Sequence, residues 1–166
     1  MIMIVLLLFP AGMALAAASD RLTMKIPNAL VLALAGAFIP VALLAQMPLE
    51  LLGLHLLCGL AVLAGGFALF ALGAIGGGDA KFAAATALWI GFGAATPFLV
   101  YAALLGGGLT LLILGLRQVP LTPFIARHDW LARLHDRKSG VPYGIALALA
   151  GLLIYPQSPT FMALAQ

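Results

Sequence analysis

Long, continuous apolar runs separated by short polar breaks set the pattern of this chain. None of the runs alternates with period two, so none predicts a strand. Runs near 20 residues are long enough to cross a hydrocarbon core as helices. The pattern predicts an all-α, polytopic membrane helix bundle of about six transmembrane helices, at 1–19, 28–46, 51–73, 80–93, 94–116 and 141–163. The fourth is short, and only the stretch from Gly93 to Pro97 divides it from the fifth. The first run ends in Ala16-Ala17-Ala18, as a cleavable signal would, but Met1-Ile2-Met3-Ile4 carries no positive charge. It is expected to be a retained helix.

Composition sharpens this picture. Of 166 residues, 64% are hydrophobic and 8% charged, against about 25% charged in soluble domains. A soluble fold of this size would lack the polar surface to cover its core. Residues 1–166 therefore read as a single transmembrane domain with lipid as its main solvent, and no soluble domain is expected.

The charges then give an orientation. Arg21 and Lys25 follow the first span, Lys81 lies next to the third loop, and Arg117, Arg127, Arg133, Arg137 and Lys138 fall between the last two spans. The other breaks hold no Lys or Arg. The positive-inside rule puts the first, third and fifth loops on the cytoplasmic side of the inner (plasma) membrane, with both termini outside. It also accounts for the net charge of +3, so no nucleic-acid partner is implied. Every charged group except Glu50 belongs to that cytoplasmic interface. Cys58, the single cysteine, gives neither a disulfide framework nor a zinc site.

Residues 117–140 form the one sizeable polar stretch. Trp130, Leu131 and Leu134, flanked by Arg133 and Arg137, suit a short amphipathic helix at the headgroups; a plain solvated loop fits equally well. His128 and His135, with Asp129 and Asp136, match no standard metal spacing. No metal and no cofactor are expected. Gly65-Gly66 and Gly106-Gly107-Gly108 read as close helix packing through small residues.

Two acids stand out. Asp20 is expected at the end of the first span and Asp79 at the start of the fourth, both at the cytoplasmic interface. A carboxylate at membrane depth costs about 3 kcal/mol even on insertion scales. Singly, each has a plain explanation: Asp20 as an interfacial residue beside Arg21, Asp79 as the N-cap of its helix. Together they suit acid–base work, because two nearby carboxylates share one proton. The ionised one can take a proton from water while the other donates to a scissile carbonyl. Asp79 follows Gly76-Gly77-Gly78, where glycines allow close backbone approach and a hinge and are expected to interrupt the helix.

The segments DRLTMKIPN (Asp20 to Asn28) and GGGDAKF (Gly76 to Phe82) resemble, in order and on the expected loops, the two motifs of the prepilin peptidases, the G-x-G-D membrane aspartic peptidases. VPYGIALALAG, with Pro142, Tyr143 and Gly144, is similar to that family's P-[YF]-G stretch. The resemblance spans essentially the whole chain. It implies removal of the leader from type IV prepilin or pseudopilin precursor helices at the cytoplasmic face, with Asp20 and Asp79 as the catalytic pair. Gly76, Gly78, Lys81, Lys25 and Asn28 would support the active-site loop. Larger relatives carry a cytoplasmic insertion with paired Cys-x-x-Cys motifs and N-methylate the product. This chain has one cysteine, so it resembles the compact Flp/Tad form; the archaeal preflagellin peptidases are also similar. Pro27 is expected to open the second helix, Lys25 to set topology, and Lys81 either to tune the acid or to snorkel. An oligomer is left open.

Three other classes compete. A proton-coupled transporter would use intramembrane acids, but these sit at one interface and no inverted repeat is visible. A non-catalytic pilus or secretion assembly subunit would use them structurally. Peptidases that cut within a span share G-x-G-D, but set the first acid among aromatic residues rather than near I-P-N.

Overall fold

The computed structural model describes residues 2–118, 129–136 and 140–165. Among these residues eight α-helices occur, in chain order α1 (Ile2–Thr23), α2 (Asn28–Leu44), α3 (Leu49–Ala71), α4 (Gly77–Ile90), α5 (Phe92–Leu116), α6 (Asp129–His135), α7 (Tyr143–Ile154) and α8 (Pro159–Ala165). A 3-10 turn, Tyr155–Gln157, joins the last two. Among the described residues there is no strand, and the all-α bundle is as the hydrophobic pattern predicts.

All six apolar segments are helical, but they differ in reach. Val5–Thr23, Leu49–Ala71 and Phe92–Leu116 are long and apolar enough to span a membrane, and the bent pair α7–α8 is so only when its two parts are taken as one span. At about 1.5 Å per residue, the 14 residues of α4 extend about 21 Å, short of a hydrocarbon core of about 30 Å. The bundle compensates by enclosing α4. Ala80 and every residue from Phe82 to Ile90 are buried, whereas α3 buries only His55, Cys58 and Gly59. Most leucines of α3 and α5 face outward, where lipid takes the role of water. The chain is thus an integral membrane protein with a short central helix, buried from Phe82 onward, and long apolar outer helices.

Small residues bring these layers together. A Cβ on Gly66 would lie 3.0 Å from the Ala80 Cβ, and one on Gly59 3.2 Å from the Leu88 Cβ. The backbones of α3 and α4 approach closely because glycine lines their contact. At the far end of α4, Trp89 packs against Phe9, Phe38 and Tyr155. Its indole N–H donates to the Leu34 carbonyl at 2.8 Å, which satisfies the polar edge of a fully buried ring.

Three boundaries differ from the sequence expectation. α1 runs past residue 19 to Thr23. The Ser19 and Thr23 hydroxyls both donate to the Lys25 carbonyl, and Met24 takes a left-handed turn at φ 56°. The division between α4 and α5 falls at Gly91, not between Gly93 and Pro97, and Pro97 lies inside α5. Gly91 has φ +70°, and a Cβ there would sit 2.6 Å from His55 Nε2, so glycine alone fits the corner. The last apolar run is broken, bending 52° between its two parts. Pro156 and Pro159 remove helical N–H donors, and Ser158 caps α8 by accepting the Phe161 N–H at 3.1 Å. Pro27 sits at the N-cap of α2, one residue before the helix begins.

Residues 129–135 form a helix rather than a plain loop. The Arg21 guanidinium lies 4.9 Å from the Trp130 ring centroid, and Arg117 donates to the Leu134 and Gly140 carbonyls. This segment is thereby tied to α1 and α5. Arg127, His128, Arg137 and Lys138 lie outside the described residues. Among the described residues no cluster of His, Cys, Asp or Glu has metal-site geometry.

Candidate functional site

Asp20 lies within the last two turns of α1, in the helix rather than at its end. Its side chain is buried, with 4% exposure. The carboxylate accepts the Gly144 backbone N–H at 2.8 Å. Gly144 is the second residue of α7. Asp20 thus occupies the N-terminus of that helix, where unpaired N–H groups and the helix dipole favour an anion. Glycine is required at the contact. A Cβ on Gly144 would stand 2.9 Å from Asp20 Oδ2 and 2.7 Å from Ile26 Cδ1.

Asp79 is the third residue of α4, so it is not the N-cap, contrary to the plain sequence explanation. Gly76 holds that position without a side-chain cap. The Asp79 carboxylate instead turns back to the Gly76 backbone N–H, as an acid at the third helical position does in a capping box. A Cβ on Gly76 would lie 2.7 Å from Asp79 Oδ2. The glycine triplet does not interrupt the helix, because Gly77 and Gly78 form its first turn. The chain reverses earlier, at Gly73, where φ is +72°. A Cβ on Gly78 would lie 3.9 Å from the Cβ, N and O atoms of Ile26. Ile26 therefore stands between the two motif segments, touching Gly78 of one and Gly144 above Asp20.

The fold thus gathers the two acids at one end of α4, close enough for their charges to act on each other. Asp79 also closes one end of a cavity of about 660 Å³ between α3, α5 and α7, lined by small residues such as Gly65, Gly66 and Ala95 and by Tyr143. The supporting residues divide. Gly76 and Gly78 adjoin the acids. Lys81 points elsewhere: its ammonium donates to Asn28 Oδ1 at 3.2 Å, and both line a separate groove between α2, α3 and α4. Lys25 is exposed, and its backbone carbonyl, not its side chain, closes the turn after α1.

Gly144 is the participant that residue-by-residue reasoning left without a role. The only available signal was the Pro142-Tyr143-Gly144 run itself, since nothing local to it indicates contact with residue 20.

The sequence profile of the type IV leader peptidase family matches residues 7–111, more than half of the chain. The match includes both aspartates and ends before α7. No curated protein and no solved structure matches the chain.

Proposed function

Since the chain belongs to the type IV leader peptidase family, we propose that it is a multi-pass membrane aspartic endopeptidase that removes the leader from Flp-like type IV prepilins. Asp20 and Asp79 would be its catalytic pair, at the cytoplasmic membrane face. The observation that carries this reading is the meeting of two acids, remote in sequence, at one end of the buried helix α4.

The surroundings suggest separate roles. Asp20 accepts a backbone N–H at a helix N-terminus, which suits the ionised partner and general base. Asp79 borders the cavity and suits the protonated partner. Asp20 takes a proton from water as the oxygen bonds to the scissile carbonyl carbon, and Asp79 gives its proton to the carbonyl oxygen. Asp20 then protonates the departing amine nitrogen. Asp79 recovers a proton from the gem-diol as the C–N bond breaks, so the pair returns to its starting state.

The substrate fits the cavity's form. A prepilin is a hydrophobic helix with a polar, basic leader. Small residues along α3 and α5 let such a helix approach from the lipid side, with the leader junction beside Asp79. The bond to be cut must leave its helical hydrogen bonds to be attacked.

Asp20→Asn and Asp79→Asn should each lower precursor cleavage by about 10²–10⁴-fold while the protein still inserts, measured by gel shift of a prepilin in reconstituted membranes. Undiminished processing by both variants would end this reading. Proton flux in liposomes without any precursor cleavage would favour a transporter.

A further inference from the structure

Lys81 is unexplained by the peptidase chemistry. It follows Asp79 by two residues, so a helix turns it to the opposite side. There it opens a groove of about 460 Å³ between α2, α3 and α4. Val31, Leu60, Leu63 and Ala84 supply apolar walls, and Leu60 is 62% exposed, so the groove opens onto the outer surface. Among the described residues no carboxylate lines it. Among the described residues the Lys81 ammonium donates to the neutral Asn28 side chain and has no carboxylate partner at the mouth.

From this juxtaposition we infer that the groove binds one anionic phospholipid, with its phosphate at Lys81 and Asn28 and an acyl chain along the α2–α4 wall. Charge selects the headgroup. An ammonium forms strong charge-assisted bonds to phosphate oxygens, and the Asn28 amide has two N–H donors to add. Length selects a lipid over a spanning helix. From Lys81 to Leu88 the groove covers about 10 Å at about 1.5 Å per residue, which stays within one leaflet of a core about 30 Å thick. The cavity beside Asp79 differs on both counts: an acid stands at its end, and it follows α3 from Cys58 to Leu69, about 17 Å.

Native mass spectrometry of the purified protein, titrated with dioleoyl phosphatidylglycerol or dioleoyl phosphatidylcholine, tests this. The two lipids share chains and differ in headgroup charge. Phosphatidylglycerol should be held about fivefold more tightly, the effect of one lysine at an anionic lipid surface. Lys81→Gln should bring it to the phosphatidylcholine level, and Lys81→Arg should keep the preference. Ala35→Trp, which fills the groove, should weaken both lipids, and it carries the test if Lys81→Gln fails to fold. Equal retention of the two lipids by the unmodified protein, or a preference that survives Lys81→Gln, overturns the inference. Dimer cross-links through Leu60→Cys in a Cys58→Ser background also overturn it, since they would put a second copy on this face.

Discussion

The two ends of α4 are built to opposite rules. At one end stand Asp79 and Lys81, and beyond them Asp20, with glycines in contact and cavities opening to either side. At the other end, Trp89 and Ile90 are fully buried. Phe9 stacks on Tyr155 with ring centroids 4.4 Å apart, and Phe38 stacks on His55 at 5.4 Å. Hydrogen bonds close that end: His55 Nδ1 with the Leu88 carbonyl, and Thr160 Oγ1 donating to the Trp89 carbonyl. Among the described residues, His55 Nε2 and the Tyr155 hydroxyl remain buried there without hydrogen-bond partners, a cost that the close-packed rings offset. One end anchors the helix with close-packed rings, while the other sets its two acids against glycines and beside cavities.

If this division is right, changes at the glycine end should alter catalysis more than folding. The largest effect is expected from Gly144→Ala. Its new Cβ presses on Asp20 and Ile26 and displaces the base, and a small misplacement of a reacting group costs about 10²-fold. Single-turnover cleavage should fall by about that factor, with the thermal midpoint in detergent little changed. A loss of folding instead of rate would show that this end carries stability after all.

A smaller effect is expected at the wall of the acidic cavity. No atom lies within 4 Å of a Cβ on Gly65, so Gly65→Leu should fold normally while narrowing the space offered to a substrate helix. KM for the precursor should rise by about tenfold, as for lost apolar fit in a pocket, with kcat held. An unchanged KM would remove this cavity as the substrate route.

The smallest effect belongs to the closed end. Trp89→Phe keeps an aromatic ring but loses the 2.8 Å bond to the Leu34 carbonyl. Stability should drop by about 0.5–1.5 kcal/mol for the one lost hydrogen bond, since the Leu34 carbonyl keeps its place in the α2 ladder, read from urea or thermal unfolding in detergent, while kcat per folded molecule stays level. A change in kcat without loss of stability would contradict the separation of the two ends.

The sequence allowed part of this to be read in advance and concealed the rest for identifiable reasons. The signals for the kink after Tyr155 were present in Pro156 and Pro159, yet the run's overall hydropathy concealed them. The corner at Gly91 looks local, but its position depends on His55, which packs against it from another helix. Lys81 and Asp79 share one short motif, and motif reasoning joined their roles. The helix sends them to different cavities. Gly144 was visible only as one letter in a run, because its partner Asp20 lies near the other end of the chain.

Hydropathy and run length alone determined that this chain is helical and lives in a bilayer, and the rarity of its acids singled out Asp20 and Asp79. Those properties belong to single residues and short windows, which a lipid solvent reads directly. Tertiary structure alone decided that α4 would be enclosed, that α7 would present its N-terminus to Asp20, and that the charge of Lys81 would face away from the acids. Each depends on which helix surfaces meet, and that is fixed by small residues and rings packing across the bundle rather than by any local stretch.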